Sequence, residues 1–222
     1  MTTVSAEKKL RNHAQRWRSK RGLRLIYQEL FRAVRNECVE GSTLEVGGGF
    51  GSLKEEWKSL VSADIVRMPN LDVVCDAQTL PFALGSFNNV VAVDTLHHLE
   101  WPLRFFQQVA GVLQHGGRLI LVEPAITPFS RIIYKFHPEP VDLTANPMVI
   151  GEVNRSKDPF SSNQAIATLI AGKFLSDLLR QVPELKLRRK RYISFLAYPL
   201  SGGFQRWNLL PYCLIRPLLR VE

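Results

Sequence analysis

Apolar positions along the chain follow a helical period at first and then gather into short runs. Residues 5–21 predict a basic helix, and Leu23, Ile26, Tyr27, Leu30, Phe31 and Val34 mark a second helix whose apolar stripe packs on the body. From Ser42 the pattern changes. Ser42 to Val46, Val61 to Ile65, Leu71 to Cys75, Val90 to Asp94 and Arg118 to Pro124 read as five short strands, the first and last of them buried. Helical patterns interrupt them. One follows Gly51; another opens at Trp101-Pro102, repeats through Leu103, Phe106, Ala110 and Leu113, and ends at Gly116-Gly117. Alternating strands and helices predict a mostly parallel sheet with helices on both faces.

Beyond Glu123 the pattern loosens. Residues 125–162 are irregular and rich in proline, which predicts an insertion or lid over a substrate pocket, with Tyr134, His137, Glu139 and Asp142 as its polar candidates. A helix is expected from Asn163, with Ile166, Leu169, Ile170 and Phe174 on one face and an end near Pro183, followed by a sixth strand within Leu185 to Leu200. The chain thus divides into N-terminal helices (1–40), a core (41–124), the insertion (125–162), a last helix and strand (163–200) and an apolar tail (201–222), all in one domain.

The most informative stretch is Glu45-Val46-Gly47-Gly48-Gly49-Phe50-Gly51, placed between a strand and a helix. Consecutive glycines carry an entropic cost inside either element, so they mark a turn where a ligand approaches bare backbone. In a doubly wound, Rossmann-like sheet, ligands bind beyond the carboxyl ends of the strands, and an acid closing the second strand is placed to accept hydrogen bonds from ribose hydroxyls. Asp64 occupies that position, with Ile65 next to it. Asp76 and Ala77 follow the third strand, where an acid and the next amide suit an adenine edge and Leu80 and Phe82 offer apolar surface.

The Glu-x-Gly-x-Gly-x-Gly pattern of Glu45, Gly47, Gly49 and Gly51 resembles the first motif of class I S-adenosylmethionine-dependent methyltransferases. Asp76-Ala77-Gln78-Thr79-Leu80-Pro81-Phe82 resembles a recurring string of their type 11 group, and the likeness runs from about Ser42 to Pro124. It implies S-adenosylmethionine as cofactor, bound around Glu45, Gly47, Gly48, Gly49, Gly51, Asp64, Ile65, Asp76, Ala77 and Asp94. Glu45 would orient the loop or meet the ligand's ammonium. The family's usual Ser-Phe-Asp is Ser-Phe-Asn at residues 86–88, and its closing antiparallel hairpin is expected to be incomplete, because Pro211 and Pro217 suit a central strand poorly.

Composition narrows the setting. The 222 residues are 45% hydrophobic and 22% charged, as in a globular domain with a sizeable core. Three scattered cysteines fit neither a disulfide framework nor a zinc knuckle, and no metal-ligand spacing is visible. A reducing cytoplasmic setting is expected. The net charge of +9 is concentrated: residues 1–24 carry eight Lys or Arg against Glu7, and residues 184–191 carry five against Glu184. Without aromatic interleaving these patches favour a solvated face over nucleic acid. The apolar tail is expected to pack on the body, to form a homo-oligomer, or to rest on a membrane surface at the periphery.

Methyl transfer from a sulfonium needs chiefly alignment and exclusion of water, for which orientation alone supplies about 7–11 kcal/mol. A general base helps where the acceptor is a hydroxyl or an acidic carbon, and His98, Glu123 and His137 are the candidates by position. The expected acceptor is a small molecule, lipid- or sugar-linked. Two rivals stand beside this reading. A dinucleotide dehydrogenase is opposed by Glu45, whose charge repels a pyrophosphate, and by the lack of a Tyr-x-x-x-Lys pair; the other is a cofactor-binding scaffold subunit without turnover.

Overall fold

The computed structural model describes residues 3–128, 130–134, 139–154, 156–194 and 196–221. Two helices lead, α1 Thr3–Ser19 and α2 Arg21–Glu37. The sheet strands are β1 Thr43–Val46, β2 Val61–Asp64, β3 Val73–Val74, β4 Phe87–Val93 and β5 Leu113–Val122, all parallel, in the spatial order β3-β2-β1-β4-β5. The other helices are α3 Ser52–Glu56, α4 Pro102–Val112, α5 Ser130–Tyr134, α6 Ile166–Ile170, α7 Leu175–Gln181, α8 Ala197–Ser201 and α9 Tyr212–Val221.

The sheet separates two apolar layers. On one face Trp17, Leu23, Ile26, Phe31, Leu53 and Ile215 pack together, joining α1, α2 and α9 to the back of the sheet. On the other, Leu96, Leu103, Phe105, Ile166 and Leu178 bring in α4, α6 and α7. Both faces are therefore covered, as the runs of apolar residues in the strands require. Asn89, fully buried in β4, ties down the approach to β1: its amide nitrogen donates to the Val39 carbonyl and its oxygen accepts from the Val39 N–H, both at 2.8 Å.

Several sequence expectations need correction. Strand and helix do not alternate throughout, since loops alone join β2 to β3 and β3 to β4. Gly116-Gly117 does not end α4. Leu113 already pairs with Phe87, and Arg118 pairs with Asn89, so the glycines bulge out of β5 between two fixed pairs. The helix expected over 163–183 is broken by a turn around Gly172 into α6 and α7. Among the described residues there is no sixth strand and no antiparallel hairpin. Residues 185–194 run without regular structure; Leu187 is exposed and Arg189 pairs with Glu37 at 2.9 Å, so this basic run follows the surface and not a sheet edge. The tail is not a strand but α9. It accommodates Pro217 within its length and packs on α2 through Ile215, which is fully buried.

Candidate active site

Between β1 and β4 the strand order reverses direction, and the crevice beyond their carboxyl ends is where such a sheet binds ligands. The chain leaves β1 through the glycine turn. Gly47 and Gly48 donate to the Ala63 carbonyl of β2 at 2.9 and 3.0 Å, which folds the turn back across the sheet. Gly47 has φ +75, and a Cβ there would lie 2.1 Å from Thr95 Oγ1, so the loops after β1 and β4 touch only because this residue lacks a side chain.

On the β1–β2 side, carboxylates are held by their own loops. Asp64 accepts from the Gly49 N–H through Oδ2 and from the Val66 N–H through Oδ1, both at 2.8 Å, so one side chain clamps the glycine turn to the tip of β2. Burial raises its pKa while those amides oppose the rise. Asp76 accepts from the Gln78 N–H at 2.8 Å, and Gln78 in turn accepts from the Trp101 N–H at 2.8 Å, joining the loop after β3 to the start of α4. Ile65 is exposed beside Asp64, Gly51 is the N-cap just before α3, and Ala77 is buried in the loop after β3. Glu45 is buried beneath Gly48, takes a hydrogen bond from the Ser62 hydroxyl, and is pushed up to about 7 by burial. Its contacts are with the neighbouring strand and with Gly48 of the loop.

On the β4–β5 side the carboxylates engage ionisable side chains. Pairing of Val93 with Val122 sets Asp94 beside Glu123. Asp94 leaves β4 with φ +51, the left-handed turn that Asp tolerates better than most residues, and accepts from the Tyr27 hydroxyl at 2.7 Å. Burial raises its pKa to about 6. Glu123 Oε1 accepts from the Thr95 and Leu96 N–H groups at 2.8 and 2.6 Å, and Oε2 meets His97 Nδ1 at 2.7 Å. Both side chains of that last pair are 4% exposed. The carboxylate on Nδ1 fixes the tautomer and leaves Nε2 as the basic nitrogen. Burial alone would lower the pKa of His97, but its hydrogen bond to Glu123 and the charges of Glu123, Asp94 and Glu139 together raise it.

Of the histidines, sequence reasoning put forward His98, whereas the structure places His97 against the carboxylate. His98 lies beside it, the two rings tilted by 40° with centroids 4.2 Å apart, and its buried Nδ1 has no hydrogen-bond partner among the described residues. Burial, then the neighbouring His97, brings its pKa down to about 3. His137 lies outside the described residues. From the insertion, Glu139 accepts from the Ser162 hydroxyl at 3.0 Å and contributes to the field on His97, while Asp142 stays at the surface and caps its own turn at Thr144. His97, His98 and Glu139 carry ligand-capable atoms within 4.8 Å of one another, close enough to hold a divalent ion, and no residue spacing along the chain signals this trio. A roof completes the site. Leu10 of α1 lies over Gly49, and Trp17 packs on Phe50 with its indole N–H donating to Glu55 at 3.2 Å.

A bare glycine turn flanked by Asp64, Asp76, Asp94 and Glu123 at the strand ends suits a ligand bearing a nucleoside at one end and cationic centres at the other, and would repel a pyrophosphate. Residues 44–121 match a family described as a methyltransferase domain. This segment is therefore similar to the class I methyltransferase domains of the type 11 group. The cofactor of such domains is S-adenosylmethionine. The fold agrees: a solved S-adenosylmethionine-dependent methyltransferase of Thermotoga maritima, described as a possible histamine N-methyltransferase, superposes with a TM-score of 0.52 at 23% identity, over 60% of this chain and 68% of that one. A putative methyltransferase of Bacillus halodurans gives a TM-score of 0.41 at 21% identity, over 49% and 58%. Among curated proteins, squalestatin tetraketide synthase of Cochliobolus lunatus is 30% identical over 86 residues. That stretch is 39% of this chain and 3% of the synthase.

Proposed function

We propose that the protein methylates a small-molecule acceptor whose nucleophilic atom must first lose a proton, a hydroxyl or an acidified carbon, and that His97 takes that proton. One observation carries the reading: a buried imidazole held at Nδ1 by a buried carboxylate, at the tip of the strand next to the glycine turn. Glu123 is the positioning residue. Its two backbone donors keep it in place, so the charge that favours imidazolium is present before the reaction begins. S-adenosylmethionine supplies an electrophilic methyl group on a good leaving group. As the methyl group moved from that sulfur to the acceptor, the acceptor's proton would pass to His97 Nε2. Glycines 47–49 and Asp64 hold the donor, while α1 and the aromatic pair Trp17 and Phe50 keep water out.

A lipid- or sugar-linked acceptor suits the aromatic contact that the insertion makes beside the base, where the Phe160 ring meets His98 edge-on with centroids 6.1 Å apart. A scaffold role without turnover is not favoured, because the glycine turn, the β2 acid and a buried base–carboxylate pair are all in place. The test supplies methyl-labelled S-adenosylmethionine with lipid and water-soluble extracts and follows label into each fraction. Expected is label in one fraction with the wild type and none with His97→Gln, while calorimetry shows the variant still binding S-adenosylmethionine and neither protein binding NAD. Undiminished labelling by His97→Gln would remove the proposal.

A further inference from the structure

The N-terminal basic segment meets the C-terminal tail in the fold. The ammonium of Lys20, between α1 and α2, donates to the carbonyls of Ser201, Gly203, Gln205 and Trp207 at 2.7, 2.8, 3.2 and 3.0 Å. The loop after α8 is therefore wrapped around one fixed charge. Its position sets Arg21, Arg206 and Tyr212 along one depression, and the Arg21 guanidinium covers the Tyr212 ring at 5.2 Å. A second depression is lined by Arg32, Arg191, Arg216 and Arg220, where the acid Glu29 is already paired with Arg32. Helix α9 contributes to both.

The same C-terminal segment carries large apolar side chains that the described chain leaves exposed. Trp207 is 49% exposed, Leu209 71%, Tyr212 49% and Leu214 51%, although Leu210 and Ile215 beside them are buried anchors. From residue 185 to 221 the sequence contains no Asp or Glu. Solvation explains the arginines but not the leucines, and a protein core explains the leucines but not the arginines. The interface of an anionic bilayer accommodates both, with guanidinium groups on headgroup phosphates and Trp, Tyr and Leu at the acyl boundary. A second copy on the same patch would set arginine against arginine. Nucleic acid would leave Leu209 and Leu214 in water.

We propose that this face docks the protein on a bilayer surface rich in anionic phospholipid, with residues 205–214 in the interfacial layer and the arginines of the two depressions on lipid phosphates. The proposal is independent of the methyl acceptor. It is tested on the full chain by co-sedimentation with phosphatidylcholine vesicles, with and without about a third phosphatidylglycerol, at low and high salt. Expected is pelleting with the anionic vesicles only, release by salt, and at least about tenfold weaker binding for Arg206→Glu combined with Arg216→Glu. Leu209→Ser combined with Leu214→Ser should weaken binding while leaving its salt dependence in place. Unchanged binding of S-adenosylmethionine by each variant, read by calorimetry, shows that the fold is intact. Failure to pellet with anionic vesicles, equal pelleting with both lipid mixtures, or preference for duplex RNA over vesicles would overturn the proposal.

Discussion

The two sides of the strand-order reversal use the same residue types for different ends. Beyond β1, β2 and β3, Asp64 and Asp76 spend their oxygens on backbone N–H groups of their own loops, and Glu45 rests under Gly48 on a serine hydroxyl. Beyond β4 and β5, Asp94 and Glu123 hold groups that carry protons, the Tyr27 hydroxyl and the His97 ring. A carboxylate satisfied by amides fixes a shape, whereas one paired with an ionisable side chain sets where a proton resides. Under the proposed function, donor binding falls to the first side and proton removal to the second.

The sharpest way to break that comparison is to cross the two sides. His97→Gln is expected to lower kcat by about 10²–10⁴-fold, the usual worth of a positioned base, while leaving the Kd for S-adenosylmethionine unchanged. Asp64→Asn is expected to do the reverse. Its amide oxygen accepts from one of the two N–H groups, Gly49 or Val66, and the stranded donor costs about 1–3 kcal/mol, seen as weaker donor binding in calorimetry with kcat at saturation largely kept. Similar losses of kcat in both variants would erase the division.

Glu45 offers a test in stability alone. Its folded pKa of about 7 lies above its ordinary value of 4.5, so folding takes up a proton between those values. The stabilising contribution is complete below the ordinary value and is lost as pH rises through 7. Glu45→Gln is therefore expected to flatten this part of the pH–stability curve, with a gain on the order of 3 kcal/mol above pH 7, measured by urea unfolding. A smaller effect is expected from Tyr27→Phe. Removing the hydroxyl donor from Asp94 should cost about 1–2 kcal/mol and raise the Asp94 pKa further above 6.

Much of this arrangement was legible in the sequence, for reasons that can be stated. The glycine turn, the strand-end acids Asp64 and Asp76, and the apolar runs of β4 and β5 are local signals, each fixed by neighbours a few residues away. The pairing of His97 with Glu123 is not local. Two adjacent histidines look alike in sequence, and only the parallel register of β4 and β5, Val93 beside Val122, shows which one the acid reaches. Gly116-Gly117 misled because a helix end and a strand bulge make the same demand on backbone. The basic run at 186–191 reads as an approach to a strand until its ion pair with Glu37 shows it following the surface. Lys20 was one cation among many, and its four carbonyl partners arrive from the far end of the chain.

The most direct test is the pH dependence of kcat at saturating S-adenosylmethionine, for the wild type and for Glu123→Gln. A base must be unprotonated to act, and the His97 pKa is raised above 6.5 through Glu123, so wild-type activity should rise with pH through a midpoint above that value. In Glu123→Gln the acid's charge is gone while burial continues to oppose imidazolium, so the midpoint should move to lower pH as the maximal rate falls. A midpoint that stays where it was in the variant would contradict the account.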